Sequence, residues 1–148
     1  MVFVIITACK KKKESQAPTP IPVSSVVSLK IDGVEKKCSN ACYSGSTSGG
    51  LRGAYFYLAG FDEFLYFSCT TLPAPGTYTL VKYKNPFLTY SKNNVYRPAS
   101  TGVLNVTSID TSANGVINSL VATFSFKTDT SSSGTYYNMT EGIFNLKK

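Results

Sequence analysis

The sequence predicts an all-β protein: an antiparallel β-sandwich of about nine strands, with a flattened up-and-down barrel as the alternative. Three observations carry this. Across residues 26–148, short segments of alternating apolar and polar residues are separated by Gly, Pro, Asn and Asp at turn-like intervals. Tyr (10) and Phe (9) are abundant, beside many Ser and Thr, and aromatic and β-branched residues suit a pleated surface. No segment repeats its apolar residues at helical spacing.

The first strand pair lies in VVSLKIDGVEKKC (26–38). Asp32-Gly33 suits a two-residue type I′ turn, whose central residues both take positive φ. That loop sets Ile31 opposite Val34, Leu29 opposite Lys36 and Val27 opposite Cys38, with Lys30 facing Glu35. Residues 39–50, SNACYSGSTSGG, are small and polar and read as a loop. GAYFYLAG (53–60) and EFLYFSC (63–69) form the next hairpin, around Phe61-Asp62. Pairing Gly60 with Glu63 puts Leu58, Phe56 and Ala54 opposite Leu65, Phe67 and Cys69 on one apolar face. The other face carries Tyr55, Tyr57, Phe64 and Tyr66, with Tyr57 opposite Tyr66.

PAPGTYTLVKY (73–83) reads as a turn and a strand with Tyr78 and Leu80 inward. KNPFLTYSKNN (84–94) reads as a loop broken by Pro86, and VYRP (95–98) as a short edge strand, since proline cannot donate to a ladder. GVLNVTSI (102–109) alternates through Leu104 and Val106, and VINSLVATFSFKTD (116–129) through Leu120, Ala122, Phe124 and Phe126. In TYYNMTEGIFNLKK (135–148), Tyr137 and Met139 are apolar at odd positions, but Phe144 and Leu146 at even ones. A β-bulge at Glu141-Gly142 would shift the parity and keep both pairs inside.

A chain of 148 residues suggests one domain, with a core large enough to fold without staples. The net charge of +7 first suggests nucleic acid, but Lys10, Lys11, Lys12 and Lys13 account for much of it. Residues 24–148 hold 11 basic and 7 acidic side chains, scattered rather than gathered in a stripe, so no nucleic-acid partner is expected.

The first residues form a different kind of segment. VFVIITA (2–8) is apolar and too short to span a bilayer. It resembles the back half of a secretory signal peptide without its basic start, so residues 1–8 are expected to be a truncated leader. Ile6-Thr7-Ala8-Cys9 resembles a bacterial lipobox, in which cleavage precedes the cysteine and its thiol receives diacylglycerol. Two or more acyl chains anchor a protein stably. Residues 9–25 then read as a tether, with four lysines able to meet anionic lipid and with Pro18, Pro20 and Pro22 favouring an extended spacer. The domain is expected from 26 to 148.

If Cys9 is lipidated, three cysteines remain: Cys38, Cys42 and Cys69. An oxidising envelope permits one disulfide. Three pairings exist, and the inward registers of Cys38 and Cys69 favour that one, although both also read as small buried hydrophobes. With no His and one C-x3-C, the set is poor for zinc, so neither metal nor cofactor is expected.

The absence of His removes the commonest general base and every Ser–His or Cys–His nucleophile. Asp62 and Glu63 are adjacent in a tight turn and read as solvated. No catalytic residue is expected. The feature above background is the aromatic set Tyr55, Tyr57, Phe64 and Tyr66, expected to bind a ligand unless a second layer covers it.

The GTYTL strand, Gly102-x-Leu104-x-Val106-Thr107, TFSF (123–126) and MTEGIFNL (139–146), in this order, resemble a family of small Bacteroidetes lipoproteins of unknown function. Members carry a lipobox, an early NG hairpin (here Asp32-Gly33) and a GTFSF…ITxGxFN ending, where Ala122 replaces the usual Gly. The match is weakest over 39–70 and 84–98. The resemblance implies an envelope location and an all-β fold, and no chemistry. Together the readings predict an outer-membrane lipoprotein, anchored through Cys9, whose monomeric, non-catalytic domain binds a glycan or protein. A structural envelope accessory without a small ligand is the alternative.

Overall fold

A computed structural model describes residues 25–39, 43–130 and 134–147. The expected leader, the Cys9 lipobox and the tether up to residue 24 lie outside them, as does Cys42, while Ser25 at the end of the expected tether already belongs to the first strand.

The expected hairpin forms as β1 (Ser25–Ile31) and β2 (Val34–Ser39). Asp32 and Gly33 take φ of 48° and 83°, and the pairs Ile31–Val34, Lys30–Glu35, Leu29–Lys36 and Val27–Cys38 all form. Lys30 nevertheless sends its Nζ to Glu141, at 2.7 Å, while Glu35 pairs with Lys37 at 2.9 Å. The remaining strands are β3 (Tyr43–Ser48), β4 (Leu51–Ala59), β5 (Glu63–Cys69), β6 (Gly76–Leu80), β7 (Phe87–Lys92), β8 (Val95–Thr111), β9 (Ile117–Thr128) and β10 (Asn138–Leu146).

All pairings are antiparallel. The order is β2-β1-β10-β9-β8-β7-β5-β4-β3, with β6 added on β8, and the sheet curls into a half-barrel. The all-β antiparallel class is therefore the one the pattern predicts, and a single sheet supplies both facing layers. The long β8 makes this continuity: its residues 95–98 pair with β7, and residues 99–111 run along β9. The core closes where Phe144 of β10 meets Phe56 of β4 and Phe67 of β5, at ring separations of 4.8 and 6.2 Å.

The bulge in β10 occurs where the parity change requires it. The register slips between Met139 and Gly142, and Glu141 takes a φ of 52°. Met139, Phe144 and Leu146 are all buried, and Tyr137 packs against the same core. Gly142 is required there, because a Cβ would lie 2.3 Å from the ring of Phe124.

Three expectations are corrected. Within 39–50, residues 43–48 form an edge strand, joined to β4 through Gly49-Gly50 at φ of 56° and 81°. Within 84–94, residues 87–92 form β7, between β5 and β8. VYRP is consequently no edge strand but the first stretch of the 17-residue β8. In β3 and β7 neighbouring strands supply hydrogen bonds that outweigh a local preference for loop, and pairing with β7 on one side and β9 beyond residue 98 makes 95–98 part of a long interior strand.

Candidate functional site

The β4–β5 hairpin determines what the outer face of the half-barrel offers. The turn spans Gly60, Phe61 and Asp62, and the register slips between Tyr57 and Ala59. Tyr57 therefore lies opposite Phe64, and Tyr55 opposite Tyr66, rather than Tyr57 opposite Tyr66. The displacement is two residues along the strand, so every side chain keeps its expected face.

The four expected aromatics do meet. Tyr55 stacks on Tyr66 at 4.3 Å and 23°, and contacts Phe64 edge-on at 5.5 Å. Tyr57 lies 6.4 Å from Tyr55 and 6.0 Å from Phe64. Tyr66 lies down over Gly53, where a Cβ would fall 2.4 Å from the tyrosine Oη. Burial holds the Tyr55 hydroxyl above its ordinary pKa, with the neighbouring Tyr66 adding to the effect.

Their roles differ. Phe64 is only 6% exposed, so it forms the floor of the strip and offers no surface to a ligand. Tyr55, Tyr57 and Tyr66 are half-buried. The open rings are ones the sequence reading missed. Phe61, in the turn, is 80% exposed and meets Tyr57 edge-on at 5.0 Å. Tyr96, on β8, is 60% exposed and meets Phe64 at 5.7 Å. Phe87 extends the strip beside Tyr66, at 6.5 Å. Alternation in FLTYSK carried a signal for Phe87, but Pro86 and the polar neighbours read as loop. Ser68 and Ser91 on this face are fully buried, and neither hydroxyl has a partner among the described residues. The rings thus pack down on the sheet and exclude water from it.

The other candidates fall elsewhere. Cys69 is a buried free thiol and Cys38 is disulfide-bonded, so the favoured Cys38–Cys69 pair does not form. The partner of Cys38 lies outside the described residues. Cys69 sits opposite Arg52 on β4, whereas Cys38 sits opposite Val27 on β1. Burial pushes the Cys69 thiol up to about 11. Glu63 also departs from expectation: it is 6% exposed, not solvated. Its Oε1 accepts from the Tyr90 hydroxyl at 2.8 Å and its Oε2 from Lys36 Nζ at 3.0 Å. With both oxygens engaged, Glu63 acts as a tie between β2, β5 and β7. Asp62, its neighbour, remains exposed.

Residues 59–146 match the family model described as Domain of unknown function (DUF6252), well over half of the 148 residues. The chain belongs to the DUF6252 family. No curated protein matches the chain, and no solved structure does. The DUF6252 span takes in β5 to β10, and with them Phe61, Phe64, Tyr66, Phe87 and Tyr96. Tyr55 and Tyr57 precede it, so the strip is shared between the DUF6252 span and β4.

Proposed function

We propose that this DUF6252 protein is a Bacteroidetes-type lipoprotein whose β-domain, tethered through Cys9 to the outer membrane, binds a glycan without catalysing a reaction. One observation carries the ligand reading: the continuous outer strip of rings ending in the open Phe61 and Tyr96. Contiguous exposed apolar surface marks binding sites. Aromatic faces meet the C–H face of a sugar, and tyrosine hydroxyls add hydrogen bonds. The anchor reading rests on the Ile6-Thr7-Ala8-Cys9 motif and the Lys/Pro-rich segment after it.

The two parts are tested separately. Cys9→Ala is expected to move the protein from the membrane fraction to the soluble one; retention on membranes would refute the anchor. The Tyr57→Ala, Phe61→Ala double variant is expected to keep its fold by circular dichroism and lose retention on immobilised envelope polysaccharide. A structural accessory is the second reading, favoured by the mutual stacking of Tyr55 and Tyr66, which uses ring surface that a ligand would need. Polysaccharide retention that is absent, or unaffected by the double variant, selects that reading.

A further inference from the structure

We infer that the β-domain itself docks on an anionic lipid bilayer, through the ring of turns at one end of the half-barrel. This goes beyond the glycan reading, and it holds with or without an acyl chain on Cys9.

The registers bring several connections to the same end. Ile31 pairs with Met139, Ala99 with Thr128, and Lys92 with both Val95 and Glu63. The turns at 32–33, 60–62 and 93–94 and the approach to β10 at Tyr136 therefore share one rim. Hydrogen bonds tie it together. The Asp32 N–H donates to the Asn138 carbonyl at 2.9 Å, the Asp129 N–H to the Pro98 carbonyl at 2.8 Å, and the Asn93 N–H to the Asp62 carbonyl at 2.8 Å. The Lys36–Glu63 ion pair carries the circle from β2 to β5. Side chains on this rim are thus held in place before they meet any surface, which lowers the ordering cost of binding.

Of the eight large hydrophobic side chains exposed among the described residues, six belong to this rim: Val34, Phe61, Tyr83, Val95, Tyr96 and Tyr136. Tyr83 joins it because it lines one groove with Val95 and Asp129. The connections at the opposite end, 49–50, 70–75 and 112–116, expose none. Apolar residues scattered singly over a surface would need no explanation, but segregation to one rim does.

The chemistry of the rim fits a bilayer. Its apolar side chains come from separate turns and stand apart as tips. A fluid interface takes up separate tips, whereas a protein partner needs a matching pocket for each. Tyrosine suits the headgroup level, with its ring in the apolar boundary and its hydroxyl in water. Tyr83 and Tyr136 each carry a lysine over the ring, Lys82 at 5.4 Å and Lys127 at 3.6 Å. Lys84, Lys92, Arg97 and Lys127 form no ion pair among the described residues, and Asp32 and Asp62 are the acidic groups of this rim that form none. The excess is cationic, which favours anionic lipid. The chain can also reach. The seven residues of β1 run about 23 Å from the opposite end to the rim. Residues 10–24, between Cys9 and Ser25, span about 50 Å when extended at about 3.3 Å each, so an anchored chain can still lay this rim on the same bilayer.

The chain contains no tryptophan, so one introduced by substitution reports its own surroundings. The test mixes the full chain, carrying Cys9→Ala to remove the acylation site, with vesicles of phosphatidylethanolamine and phosphatidylglycerol. Emission should shift to the blue for Val34→Trp, at the rim, and stay unchanged for Val103→Trp, on the wall of the sheet. In vesicle sedimentation, the Val34→Ser, Tyr136→Ser double variant should bind at least about tenfold more weakly than the parent, with its fold checked by circular dichroism. Lys10, Lys11, Lys12 and Lys13 are present in both chains, so their attraction to lipid cancels in the ratio. Vesicles of phosphatidylcholine alone should retain less protein than the anionic ones. No blue shift at Val34→Trp, an equal shift at Val103→Trp, sedimentation unchanged in the double variant, or equal retention on neutral vesicles would overturn the inference. Neither Val34 nor Tyr136 belongs to the aromatic strip, so the double variant should keep its retention on polysaccharide, and the two readings fail separately.

Discussion

Cys69 shows how one residue's surroundings set its chemistry. The thiol is fully buried, and burial raises its pKa from the ordinary 9.0 to about 11, because the thiolate cannot be solvated there. Alkylation followed by peptide mapping is expected to leave Cys69 unlabelled in the native protein at pH 8 and to label it in denaturant. The same shift makes stability depend on pH. Below pH 9 the thiol is protonated whether the chain is folded or unfolded. As pH rises from 9.0 towards about 11, only the unfolded chain ionises, so this contribution to stability is lost. The denaturation midpoint should fall across that window, and less steeply in Cys69→Ala, whose comparison with the parent protein separates the thiol from the tyrosines. Spacing could place Cys69 on an inward face. It could not say whether another sulfur was within reach.

At the scale of elements, the β4–β5 hairpin and the β10 bulge illustrate two kinds of legibility. The bulge could be read from the chain because a change of apolar parity within one strand has one geometric remedy, an extra residue. The hairpin was legible in its faces and not in its register. A displacement of two residues exchanges neighbours while leaving each side chain on its side, so burial patterns do not resist it. Gly53 then acquires a role that sequence alone does not show, as the floor under Tyr66. Gly53→Ala is expected to lift that ring and weaken its stack with Tyr55, lowering stability by about 1–3 kcal/mol through overpacking. Chemical denaturation measures the cost, and tyrosine near-ultraviolet circular dichroism should change with it. An unchanged spectrum would mean that Tyr66 does not rest on Gly53. Strands β3 and β7 were harder to read: one is built of small polar residues, and the other follows a proline.

For the whole molecule, the curl of the sheet brings distant strands together, and Glu63 is one tie between them. Lys36 comes from β2, near one end of the strand order, while Glu63 and Tyr90 come from β5 and β7. Glu63→Leu would leave the buried Tyr90 hydroxyl without its acceptor, a loss of about 1–3 kcal/mol. Glu63→Gln should cost less, because an amide oxygen can still accept from Tyr90. Urea unfolding of the two variants checks that order, and equal losses would show the Tyr90 hydrogen bond to be unimportant. The Lys36 contact contributes little, since the lysine is partly exposed and screened by water.

By itself the sequence determined the all-β class, the faces of most residues in β1, β2, β4, β5 and β9 and of Leu104 and Val106 in β8, the Asp32-Gly33 turn and the bulge in β10. These follow from local rules: a side-chain period of two, and φ preferences at turns. Only the tertiary structure decided that β3 and β7 are strands, that Glu63 is buried and Cys69 free, that Phe64 is covered, and that Phe61, Tyr83 and Tyr96 are open. Each of these depends on what lies against the residue across the fold, and no local pattern encodes which distant strand will supply that neighbour.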